Sequence, residues 1–143
     1  MYEYSCKVER VVDGDTIDVV LDLGFDILYK SRVRLYGIDT PESRTRNLDE
    51  KARGKMAGAF LKEAIDKGKK VIIQTKLKDS RGKFGRVLGN VIVDEVNINQ
   101  SMIENFLAVA YFGQSKAEVE AEHLVNREKL IELGKFDTET IGK

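Results

Sequence analysis

Residues 2–12 and 16–23 each alternate apolar and polar side chains, and Asp13-Gly14 lies between them. A dipeptide of this kind between two alternating runs predicts an antiparallel hairpin, because folding back is the shortest way to bury both apolar faces. Gly24 breaks the second run, and residues 27–37 predict a third strand with Val33 and Leu35 inward and Arg32, Arg34 and Tyr36 on one shared face. Pro41 cannot continue a central strand and holds Thr40 extended, so the segment IDTPES ends the sheet.

Beyond it the pattern changes period. Residues 43–49 are polar and read as a loop, and residues 50–66 predict a helix with Met56, Phe60, Leu61 and Ala64 on its apolar side and Gly68 as its stop. KKVIIQTKL predicts a fourth strand, KDSRGKFGR a basic turn, and VLGNVIV a fifth strand. Residues 96–105 predict a short helix bearing Ile98 and Met102, with Phe106 beyond it. Residues 107–113 are an apolar connection, and residues 117–133 predict a third helix with Val119, Leu124, Leu130 and Ile131 inward. The residues after Gly134 are expected to fray. Five short strands and three helices predict an α+β, mainly β domain, a small closed barrel with packed helices, for which the five-stranded OB-fold is the leading candidate.

A chain of 143 residues makes one domain, with a core over about residues 3–133 and a tail after 134. Its 42% hydrophobic and 34% charged content describes a globular chain. With one cysteine, Cys6, there is no internal disulfide and no cysteine-based zinc site. No apolar run is long enough to span a bilayer. The N-terminus, MYEYSCKVER, has no apolar signal-peptide core. Localisation therefore stays open between a cytoplasmic protein, bacterial or phage-encoded, and a secreted one trimmed of its leader. Net charge is zero, so a polyanion site has to come from local clustering.

His123 is the sole histidine and falls inside the third predicted helix, where it is expected to be a surface or partly packed residue. Histidine-based metal sites and a Ser-His-Asp triad have little support, Cys6 reads as a small core residue, and no phosphate-binding glycine loop occurs. Oxygen chemistry remains. Asp13 and Asp15 flank the first turn, and Asp39 and Glu42 follow the third strand. If the three strands form a meander, both groups fall at one end of the sheet. There they make either a hard-cation site or ordinary turn caps. Arg34 and Arg86 are the second constellation: either a scattering of solvated cations or a fork-like clamp on a phosphodiester.

The marks DGDT, then RLYGIDTPE, then KFGR, in that order with a helix between the last two, make the chain resemble the staphylococcal nuclease (thermonuclease) family over nearly its whole length. The resemblance implies an OB barrel with three helices and a calcium-dependent nuclease that hydrolyses DNA, RNA or both within the strand and leaves 3′-phosphate ends. It further implies one Ca2+ held by Asp15, Asp39 and the backbone carbonyl of Thr40, with Asp13 in support. Glu42 would be the general base toward water, Arg34 and Arg86 the phosphate clamp, and Lys83, Phe84 and Tyr111 nucleotide contacts. A monomer that does not associate with membranes is expected.

Three departures stand against that pattern. Phe84 replaces a tyrosine beside the basic turn, Gly113 replaces the second tyrosine of a Tyr-x-Tyr pair, and residues 43–54 carry Arg44, Arg46 and Arg53 where lysines are usual. These changes predict weaker mononucleotide binding with cleavage retained. The rival readings are a non-catalytic OB module binding nucleic acid or protein, and a plain calcium-binding barrel.

Overall fold

The computed structural model describes residues 2–75 and 87–141. β1 (Glu3–Asp13) turns through Gly14 and Asp15 into β2 (Thr16–Asp22), and a second hairpin leads to β3 (Leu28–Leu35). After β4 (Ile38–Asp39) and α1 (Leu48–Lys67) come β5 (Val71–Thr75) and β6 (Val87–Val93). β7 (Val96–Asn97), α2 (Ile98–Glu104), β8 (Val109–Ala110), α3 (Lys116–Glu132) and a 3-10 turn at Thr138–Thr140 complete the order. The main sheet runs β3-β2-β1-β5-β6-β7. β3 also pairs with β6 in parallel, Val33 beside Val87, and this closes the five long strands into the expected OB-fold barrel.

The period-2 reading holds through β2 and the second half of β3. Ile17, Val19 and Leu21 point inward opposite Val33 and Leu35, all buried, and Ile73, Val91 and Val93 fill the other wall. Ala57 and Leu61 of α1, Met102 of α2 and Leu130 of α3 complete the core. Asn99, buried at the start of α2, accepts the Val91 amide at 3.0 Å. Its side-chain amide donates to the carbonyls of Tyr36 at 2.9 Å and Gly89 at 3.3 Å, which fastens the exit of β3 to the closing strand.

The structure corrects several expectations. α1 starts at Leu48, two residues early, because the Asn47 side chain caps it by accepting the Glu50 amide. Its buried side carries Arg53, Gly54, Ala57 and Leu61, while Met56 and Phe60 are only half-buried. Leu124, expected inward on α3, is 52% exposed. The connection 107–113 contains β8, which pairs with β4 through Ile38–Ala110 and Asp39–Val109. The segment after Gly134 is packed: Phe136 is buried, and the amides of Lys135 and Phe136 both donate to the Leu130 carbonyl. None of the described helices is long and apolar enough to cross a membrane.

Candidate active site

The turn between β1 and β2 is built for close approach. A methyl group on Gly14 would lie 2.7 Å from the Ala57 Cβ and 3.0 Å from the Thr40 hydroxyl, so only glycine lets α1 and the segment after β4 press against this turn. Asp15 follows directly. Its carboxylate accepts the Thr16 hydroxyl at 3.1 Å and the Thr40 amide at 3.3 Å. Asp13, one residue before the glycine, accepts the Ser43 hydroxyl at 2.6 Å and ties β1 to the loop beyond Pro41.

Arg34 comes in from β3, where it pairs with Thr16 across the strands. One terminal nitrogen lies 3.4 Å from Asp15 Oδ2 and the other 3.7 Å from Asp39 Oδ1. Arg32, two residues earlier on the same face of β3, binds Asp18 at 2.8 Å instead. Among the described residues no three acidic, histidine or cysteine side chains gather into a metal cage of their own. Asp15 and Asp39 converge instead on one cationic group, the Arg34 guanidinium.

Glu42 lies on the exposed rim. Partial withdrawal from water, together with the negative charges of Asp15, Asp39, Asp13 and Glu50, raises its pKa above the ordinary glutamate range. Its backbone is set by α1: a Cβ on Gly54 would stand 2.6 Å from the Pro41 carbonyl oxygen and 2.8 Å from the Glu42 carbonyl carbon. The buried Arg53 of the same turn donates to Asp49 at 2.8 Å, and Arg127 of α3 donates to the other Asp49 oxygen at 2.9 Å. Partial burial works against a charged Asp49, but the hydrogen bonds and charges of Arg127 and Arg53 outweigh it and hold its pKa below the usual value. Arg53 is thus part of the packing, whereas Arg44 and Arg46 of the same arginine-rich segment are exposed.

His123 enters where sequence reasoning placed only a bland helix residue. Its Nε2 lies 2.8 Å from Asp39 Oδ2, and its side chain is only 12% exposed. The overlooked signal is spacing: His123 precedes the buried Leu130 by two helical turns and so shares its face. A cavity of about 580 Å³ opens beside this contact, lined among others by Asp39, Glu42, Arg53, Tyr111, Lys116 and His123. Tyr111 is 45% exposed at its edge, and its backbone N–H donates to the Gly37 carbonyl. Gly113 has φ of +94°, a backbone that the expected tyrosine would adopt only under strain. Lys83, Phe84 and Arg86 lie outside the described residues.

Residues 32–131 match the model of the staphylococcal nuclease homologue family. The chain belongs to that family. Over 116 residues it is 33% identical to the endonuclease YhcR of Bacillus subtilis, covering 77% of this chain and 9% of that one. It is 35% identical over 108 residues to the thermonuclease of Staphylococcus intermedius, covering 76% and 60%. To the protein ParB of Escherichia coli it is 34% identical over 124 residues, covering 80% and 62%. The chain spans less than two thirds of each of these relatives. Within this staphylococcal nuclease homologue, Asp13, Asp15, Arg34, Asp39, Thr40 and Glu42 collect at one end of the barrel, and Tyr111 borders the adjoining cavity.

Proposed function

We propose that the chain is a nuclease, a hydrolase of phosphodiester bonds in DNA, RNA or both, which uses one calcium ion, cuts within strands and leaves 3′-phosphate ends. The observation that carries this reading is the Arg34 guanidinium held between Asp15 and Asp39, with Glu42 on the adjoining rim. Relatives named endonuclease and thermonuclease support it.

The residues fit the metal. The donors are all oxygen, as a hard cation requires, and two carboxylates from separate segments already face one positive group. Asp15, Asp39 and the Thr40 carbonyl would hold the ion, and Asp13 would brace the loop behind them through Ser43. Bound there, calcium supplies positive charge to the phosphate.

The protein's own side chains do the rest. Arg34 makes ion pairs at 3.4 and 3.7 Å, too long for strong hydrogen bonds, so its fork can turn to two non-bridging phosphate oxygens. Arg86 is the proposed second half of that clamp. Glu42 accepts a proton from water as it attacks phosphorus, and the 5′ oxygen leaves on the opposite side. The raised pKa of Glu42 makes it a better proton acceptor than an ordinary carboxylate.

Incubating supercoiled plasmid and RNA with calcium, magnesium or EDTA, using the wild-type chain and Glu42→Gln, tests the proposal. Nicking that requires calcium and falls by about 10²-fold or more in Glu42→Gln is expected. Cleavage that survives EDTA would remove the metal from the mechanism. A second reading, a non-catalytic OB module that binds nucleic acid or protein, is left open by relatives not named as nucleases, such as the protein ParB. Retardation of nucleic acid without cleavage in any metal would select it.

A further inference from the structure

We infer that His123 is a positioning residue that orients the Asp39 carboxylate toward the cation site; the inference rests on the calcium reading above. Asp39 sits in β4, a strand of two residues that among the described residues pairs only with β8, and its side chain is 30% exposed. So short an element restrains a carboxylate weakly. The two oxygens are nonetheless divided between different partners. Oδ2 lies 2.8 Å from His123 Nε2, and Oδ1 is turned to the Arg34 guanidinium and, through it, to Asp15. An ionised carboxylate only accepts, so Nε2 carries the hydrogen and donates.

The donor is itself fixed. His123 belongs to α3, which is anchored at three points in the two turns that follow it. Asn126 donates to the Ala108 carbonyl at 3.0 Å beside β8, Arg127 donates to Asp49 at 2.9 Å, and Leu130 is buried in the core. The histidine ring is almost enclosed, whereas the carboxylate it holds is not. A rigid helix thus reaches across the fold and stops the rotation of a side chain that its own strand would leave free. With Oδ2 taken, Oδ1 is the oxygen left for a cation shared with Asp15, and the rotational freedom lost on binding has already been given up.

The role predicts an effect on calcium itself, separable from turnover. Calcium binding to the full chain is measured by calorimetry for the wild type, His123→Leu, His123→Gln and Asp39→Asn, with thermal midpoints recorded for each. Leucine keeps the bulk and removes the donor, and glutamine returns an N–H near the position of Nε2. His123→Leu is expected to weaken calcium about 10- to 100-fold, the usual effect of losing a partner that orients a ligand. His123→Gln should recover part of that loss. Combining His123→Leu with Asp39→Asn should weaken binding no further than Asp39→Asn alone. Wild-type affinity in His123→Leu, or equal losses in the leucine and glutamine variants, would overturn the positioning role while leaving the calcium site standing. No calcium binding by the wild-type chain would overturn the calcium reading, and this role with it.

Discussion

Arg32 and Arg34 stand two residues apart on β3, and their contacts with aspartate are opposites. On the outer face Asp18 takes Arg32 at 2.8 Å and Arg10 at 3.3 Å, and these contacts, led by the Arg32 hydrogen bond, hold its pKa below the usual range. At the end of the barrel Arg34 is better buried, with a side chain 19% exposed, yet its contacts to Asp15 and Asp39 are longer. Exposed charges can close on each other and still be hydrated, whereas the inner arginine is stretched between two carboxylates held elsewhere, Asp15 by the Thr16 hydroxyl and the Thr40 amide and Asp39 by His123. The tight pair is complete in itself. The loose trio has capacity left for a phosphate or a cation.

The sharpest way to break this contrast is to remove each arginine in turn. Arg34→Ala should lower hydrolysis on the order of 10²- to 10³-fold, the range for losing a donor to developing charge, while calcium affinity holds or rises because a competing cation has gone. Steady-state rates and calorimetry on one preparation check both halves. Next in size is Gly54→Ala. Its new methyl meets backbone at Pro41 and Glu42, so about 1–3 kcal/mol of stability should be lost in urea unfolding. Activity of the folded fraction should fall as well, because the Glu42 backbone has to move.

Asp49 tests an intermediate case, a carboxylate gripped tightly by Arg53 and Arg127 and only partly exposed. Its folded pKa is lowered, so its contribution is present above the unfolded value of about 3.9 and is lost as pH falls through the lower folded value. Asp49→Asn should cost about 1–2 kcal/mol at pH 7 and flatten the acid limb of a stability-against-pH curve. Smallest of all is Arg32→Ala. The pair is exposed, so plasmid cleavage should match the wild type, and a large loss there would erase the distinction between the two pairs.

The barrel was legible because its signals are local. Alternation at Ile17, Val19 and Leu21 and the break at Gly24 depend on neighbours a few residues away. The helices were read less well because two polar residues take inward positions. Arg53 is buried because Asp49 compensates its charge, and His123 because Asp39 receives its hydrogen, and both arrangements depend on partners that helical periodicity ignores. At the site, the meander argument correctly brought Asp15 and Asp39 to one end of the sheet. It did not reveal that Gly14 is required by the approach of Ala57 and Thr40, since that contact arises only once α1 has docked. Nor could it see that Phe136 folds back onto Leu130.

The parallel pairing of Val33 with Val87 bears on the order in which a growing chain can become this molecule. Synthesis delivers Asp15, Arg34 and Asp39 early, on and just after a β1–β2–β3 meander that has β3 as an open edge. That edge finds its partner only when β6 emerges, and Asp39 meets His123 later still. During translation, then, the nascent chain carries two carboxylates around one arginine and an unpaired strand well before the elements that restrain them exist. α3, made after all of them, finishes the placing of Asp39.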